Sequence, residues 1–133
     1  MPYLKLNLVA VTIIVMAYMH VSTMVRPSLH FVGGIEGWVP PPEPNYYEKW
    51  VKGEKFLKYD TAIFIFDTGS HTLAEVTKEA YDTCNTTNPI YIDTWGPAAV
   101  ELDTVGVHFY ICTMHCKSGQ KITVDVKPRN DTF

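Results

Sequence analysis

Close to its C-terminal end the chain alternates cleanly, with apolar Ile122, Val124 and Val126 set against polar Lys121, Thr123, Asp125 and Lys127. A period of two marks a strand with one buried and one wet face. From Leu29 onward short apolar or aromatic runs are cut by Gly, Pro, Asn and Asp. That punctuation predicts strands near 29–33, 55–59, 62–66, 72–77, 90–92, 98–102, 107–112 and 121–127. Tyr46 to Val51 and Lys78 to Tyr81 read as one or two helical turns each, too short to set the architecture. Pro40, Pro41, Pro42 and Pro44 have no N–H to give a ladder, so they form a surface connection. Eight short strands in about 105 residues predict an all-β domain, a Greek-key sandwich or barrel.

The first segment has another pattern. Lys5 precedes an apolar or small-residue run from Leu6 to Met19, broken only by Asn7 and Thr12, and a more polar stretch from His20 to Thr23 follows. This is the pattern of a secretory signal peptide over residues 1–24, with cleavage expected between Ala17 and Ser28. The run is shorter than the about 20 residues of a membrane span. No second apolar stretch follows Val126, so no membrane or lipid anchor is expected. Export lets cysteines stay oxidised. It also makes Asn85 of Asn85-Thr86-Thr87 and Asn130 of Asn130-Asp131-Thr132 candidate glycosylation sites.

Composition narrows the function classes. With 47% hydrophobic residues, three Trp, eight Tyr and six Phe in 133 residues, there is material for one core and no reason for disorder. The net charge is -3 and no basic cluster is present, so nucleic acid is not an expected partner. Asp67, Glu75 and Glu79 make no acid–base pair, and Ser70 beside His71 is a sequence neighbour only, so no hydrolytic enzyme is expected. His30 and His108 fall within predicted strands and carry no assigned role.

The chemistry concentrates in Tyr110-Ile111-Cys112-Thr113-Met114-His115-Cys116-Lys117-Ser118-Gly119-Gln120, between two predicted strands. A thiolate at Cys112 and an imidazole at His115 can face one point if the loop curls around a metal, and Gln120 can add a weak carbonyl oxygen. His71, in the turn between the strands ending at Phe66 and starting at Thr72, is the natural third strong ligand. Two imidazoles and one thiolate with a long axial contact suit copper passing between Cu(I) and Cu(II). A Cys3His zinc site that also recruits Cys84 is the competing donor set. The odd cysteine count leaves three pairings open: Cys84 with Cys116, Cys84 with Cys112, or Cys112 with Cys116.

The order of several short motifs carries a resemblance. Val32-Gly33-Gly34, Gly37-Trp38, Tyr47-x-x-Trp50, Phe64-x-Phe66-Asp67-Thr68-Gly69-Ser70-His71, Tyr81-x-x-Cys84, Phe109-Tyr110-Ile111-Cys112 and His115-Cys116-x-x-Gly119-Gln120-Lys121 together resemble a plant phytocyanin, a secreted cupredoxin of the stellacyanin, uclacyanin and plantacyanin group. The resemblance covers about Leu29 to Val126, and a domain is expected over 29–128. It implies a cupredoxin-like sandwich, copper ligation by His71, Cys112 and His115, an axial Gln120 of the stellacyanin kind, and a Cys84–Cys116 disulfide. It also implies a monomeric, non-enzymatic carrier of single electrons, secreted to the cell wall or apoplast, with a small-molecule or protein redox partner. Two features depart from the family pattern. Only Thr113 and Met114 separate Cys112 from His115, two residues fewer than usual, and Tyr59-Asp60 stands where Gly-Asp is common. The second expectation is a copper-free cell-wall binding or structural module, as in nodulin-like relatives that have lost ligands.

Overall fold

The structure is a computed structural model that describes residues 5–22 and 26–130. Its chain divides into two compact units. The first is built around helix α1, Leu8–Ser22, which coincides with the apolar run and exposes Leu8, Val9, Ile13 and Tyr18. No helix among the described residues is long and apolar enough to cross a membrane. Residues 1–4 and 23–24, the two ends of the expected signal segment, lie outside the described residues.

The second unit, Pro27–Arg129, is the β domain. Its strands are β1 Leu29–Phe31, β2 Phe56–Leu57, β3 Thr61–Phe64, β4 Leu73–Val76, β5 Tyr91–Asp93, β6 Ala98–Glu101, β7 Gly106–Ile111 and β8 Lys121–Lys127. The two helical segments are α2, Tyr46–Lys52, and α3, Lys78–Thr83. One sheet has the order β1-β3-β6 and the other β2-β8-β7-β4-β5. Pairing is antiparallel except for β1 with β3 and β2 with β8, which are parallel. All eight expected strands and both helical turns are present. The order shows the crossovers of a Greek-key sandwich, as the resemblance implies.

Local chemistry explains where the strands stop. β1 ends two residues short of the expected 33 because Gly33 is left-handed, with φ 79. β2 is trimmed from 55–59 because Tyr59 itself adopts φ 76 and the Asp60 amide turns back to the Leu57 carbonyl at 3.0 Å. A β-carbon is strained in that conformation, so the residue standing where glycine is usual still makes the glycine-type turn.

The core lies between the sheets. Ile122, Val124 and Val126 of β8 are all buried, while Asp125 and Lys127 are exposed, as the alternation requires. β4 and the end of β7 show no such alternation because both faces are covered there, although Val107 at the start of β7 is exposed. Leu73 and Tyr110 enter the main core, whereas Ala74, Val76 and Ile111 pack with Cys116 against Ala80, Tyr81 and Cys84. Trp38 anchors the main cluster: it is fully buried, and its ring meets Phe64 edge-on at 5.0 Å and Tyr47 at 5.2 Å. Burying an indole requires a partner for its N–H, which is the Thr72 carbonyl at 2.8 Å. The core thereby fixes the residue directly after His71.

His30 and His108 have structural partners that strand position alone did not reveal. The two ring nitrogens of His30 each lie 2.8 Å from a carboxylate oxygen, of Glu54 and of Asp60. Asp60 also accepts from the Ser28 and Leu57 amides and from Arg129. Burial by itself would raise the Asp60 pKa, but the His30 bond, the two amides and Arg129 together hold it below its ordinary value. This cluster ties the start of β1, the β2–β3 turn and the residues after β8 together.

Candidate metal centre

Cys112 follows the last residue of β7, and the loop it opens closes on itself. The Cys112 amide donates to the Gln120 carbonyl at 2.9 Å, and the Gln120 amide donates to the His115 carbonyl at 3.2 Å. Inside that closure Cys116–Ser118 form a short 3-10 turn, ended by Gly119 at φ 95. A β-carbon on Gly119 would be strained at that φ and would also crowd Pro41 Cγ at 3.1 Å. The proline segment thus packs beside the loop as a rigid wall.

A disulfide joins Cys84 to Cys116, with Cα atoms 5.7 Å apart, and Cys112 is free and buried. Cys84 caps the C-terminal end of α3 in a left-handed conformation, which turns its side chain towards the loop. Of the three pairings compatible with the sequence, the one implied by the resemblance is present. It leaves no second thiolate for a Cys3His zinc site.

His71, Cys112 and His115 converge: one donor atom from each lies within 4.8 Å of the others. The two imidazoles approach Nδ1 to Nδ1 at 3.2 Å, and Cys112 Sγ is 3.7 Å from His115 Nδ1. Nitrogens about 2.0 Å and a thiolate about 2.3 Å from one ion lie roughly 3.3–3.6 Å (N to N) and 3.6–3.8 Å (N to S) apart. The observed separations are close to both ranges, so the three side chains are spaced to share an ion. Gln120 is fully buried. Its Oε1 and Nε2 have no hydrogen-bond partner, although the amide is near enough to His71 to raise that ring's basicity. An unpaired buried amide costs free energy, and one beside this donor set fits a further metal ligand. Burial is the main influence on His71 and lowers its pKa, and neighbouring His115 adds to this. Gln120 and Asp67 oppose it without reversing it. Burial therefore favours the neutral ring, the form a metal requires.

Sequence reasoning missed Thr72. Its amide points at Cys112 Sγ at 3.4 Å. Its hydroxyl accepts from the Thr113 amide at 2.8 Å and pairs with the Thr113 hydroxyl at 2.7 Å. One residue therefore clamps the loop bearing His71 to the loop bearing Cys112 and His115. Its position after His71 was the one available signal, and that signal does not distinguish a clamp from an exposed turn residue.

Of the two candidate glycosylation sites, Asn85 is exposed, and its Oδ1 accepts from the Thr87 amide and hydroxyl at 3.0 and 2.7 Å. Asn130 is exposed too, but Asp131 and Thr132 of its triplet lie outside the described residues.

Residues 38–120 match the family model described as a plastocyanin-like domain. Cucumber peeling cupredoxin from Cucumis sativus is 35% identical over 111 residues, which cover 80% of this chain and 81% of that protein. Early nodulin-like protein 14 from Arabidopsis thaliana is 39% identical over 107 residues, which cover 77% of this chain and 59% of that protein. The solved structure of cucumber stellacyanin with Cu2+ has a TM-score of 0.72 at 33% identity, covering 80% of this chain and 100% of that one.

Proposed function

The chain belongs to the phytocyanins, plant proteins of the plastocyanin-like cupredoxin family, and on that footing we propose that it is an exported type-1 copper protein that carries single electrons. His71, Cys112 and His115 would hold the ion, with the buried Gln120 amide as a further, weaker ligand. The observation that carries this reading is a free, fully buried cysteine whose sulfur lies 3.7 Å from His115 Nδ1 and within 4.8 Å of a ring nitrogen of His71. Copper bound in such a set exchanges one electron at a time between Cu(I) and Cu(II).

The chain's own residues do the rest. The buried position of Cys112 excludes water from the thiolate. The Thr72 amide, aimed at the sulfur, fixes its direction and disperses its charge. The disulfide at Cys116 and the Trp38 bond to Thr72 hold the two ligand loops on the sandwich, so neither oxidation state can draw the donors far towards a geometry of its own. A small rearrangement on electron gain or loss is what fast transfer needs.

The match to early nodulin-like protein 14 supports the second reading, a copper-free module of the cell wall. Absorption spectroscopy separates the two. With one equivalent of Cu(II) the first reading expects an intense band near about 600 nm, from thiolate-to-copper charge transfer, which vanishes in Cys112→Ser. A colourless protein with its thiol still reduced would overturn it.

A further inference from the structure

Beside the candidate centre lies a hollow of about 340 Å³ lined by Cys84, Thr86, Thr113, Met114, His115, Cys116, Lys117 and Ser118. The Nδ1 of His115 is turned to His71 and Cys112, so the rest of its ring is what the hollow meets. The lining brings the hydroxyls of Thr86 and Ser118, one ammonium and the exposed thioether of Met114, while the Thr113 hydroxyl is taken up by Thr72. No carboxylate is among these residues, in a chain whose net charge is -3. The volume is at the lower end for small-molecule sites, which begin at about 300 Å³. A stable protein partner would need about 800 Å² of surface on each side.

We propose that this hollow is the docking site of a small, hydroxyl-rich monoanionic reductant of the enediolate class, held by the Lys117 ammonium and by the hydroxyls of Thr86 and Ser118. The proposal rests on the electron-carrier reading and names the donor for that same site. One electron leaves the bound monoanion through the His115 ring and reduces the oxidised centre by one electron. The anion is left as a neutral radical, which gives its proton to water, and no bond to the protein forms or breaks. The hydroxyls select for a polyhydroxylated ligand, and the single ammonium selects for one negative charge.

Two arms test this on the full chain, with ascorbate as the probe. In the first, the copper-free protein is titrated with ascorbate and followed by amide NMR shifts. Saturable shifts confined to Thr86, Thr113, Met114, Lys117 and Ser118 are expected. Lys117→Gln should weaken binding about fivefold, Lys117→Arg should restore it, and added salt should weaken it. Shifts elsewhere, no shifts, or equal displacement by inorganic phosphate would overturn the site, the last result marking a simple anion site. In the second, the copper-loaded protein is reduced by ascorbate and bleaching of the blue band is timed. A rate that saturates at the affinity found by NMR is expected, and a rate linear in ascorbate well beyond that concentration would overturn docking. A protein that never colours would overturn the electron-carrier reading instead, a result the copper-free titration keeps separate from failure of the site.

Discussion

Replacing Thr72 by Val keeps the shape of the side chain and removes only its oxygen. The Thr113 amide then loses its acceptor at 2.8 Å and the Thr113 hydroxyl loses its partner at 2.7 Å. Each such bond contributes about 1 kcal/mol net, and Thr113, half-buried, recovers part of that from water, so the loss should be about 1.5 kcal/mol. For a domain of about 100 residues this lowers Tm by about 7 °C. The assay is thermal unfolding of the copper-free protein followed by circular dichroism, with Thr72→Ser as the control that keeps the hydroxyl. The Thr72 amide, which points at the Cys112 sulfur, is untouched, so the copper-loaded variant should still be blue. A T72V protein melting within about 1 °C of the parent, or a T72S protein as unstable as T72V, would refute the clamp.

Gln120→Leu should stabilise the copper-free protein by about 1–2 kcal/mol, because it removes a buried amide without hydrogen-bond partners; a loss in urea titration would mean the amide is satisfied after all. The double variant Cys84→Ser, Cys116→Ser opens a bridge that spans 32 residues, worth roughly 3.5 kcal/mol in chain entropy, and an unchanged denaturation midpoint would contradict that assignment. The Asp60 pKa is lowered below 3.8, so its stabilisation is present above that value and is lost as pH falls through the lower folded one. Acid unfolding of Arg129→Gln should therefore begin at a higher pH than in the parent, and coincident acid transitions would exclude the coupling. For His108, burial pulls the pKa down, but Glu75 and the Thr104 carbonyl outweigh it and raise the pKa above 6.5. That contribution is complete below 6.5 and disappears as pH rises through the folded value. Glu75→Gln should flatten the fall in urea midpoint between about pH 6 and about pH 9, and an unaltered slope would sink the pairing.

Much of the fold was legible because burial in a sandwich leaves a period. In β8 one face is core and the other water, so Ile122, Val124 and Val126 stand out from their neighbours. β4 and the end of β7 carry apolar residues on both faces, because Ala80, Tyr81 and Cys84 cover Ala74, Val76 and Ile111 on the second one. Strand partners were not legible, since alternation identifies a face and not the neighbour across it; nothing in Phe56-Leu57 announces a parallel pairing with Val126 and Lys127. The donors of the centre were legible as residue types, Cys, His and Gln within one short loop, with a second His in a turn. The groups that hold them were not. Trp38 reaches the Thr72 carbonyl from 34 positions away, and the Asp60 cluster gathers residues 28, 30, 57 and 129. Such contacts arise only when the sheets close, and the sequence carries no local mark of them.

X-ray absorption at the copper edge, recorded on the protein loaded with one equivalent of copper, would show directly which atoms surround the metal. One thiolate sulfur with two imidazole nitrogens is the expected first coordination sphere, and it should lose the sulfur in Cys112→Ser and one nitrogen in His71→Gly. A sphere of nitrogen and oxygen alone in the unaltered protein would contradict the central claim.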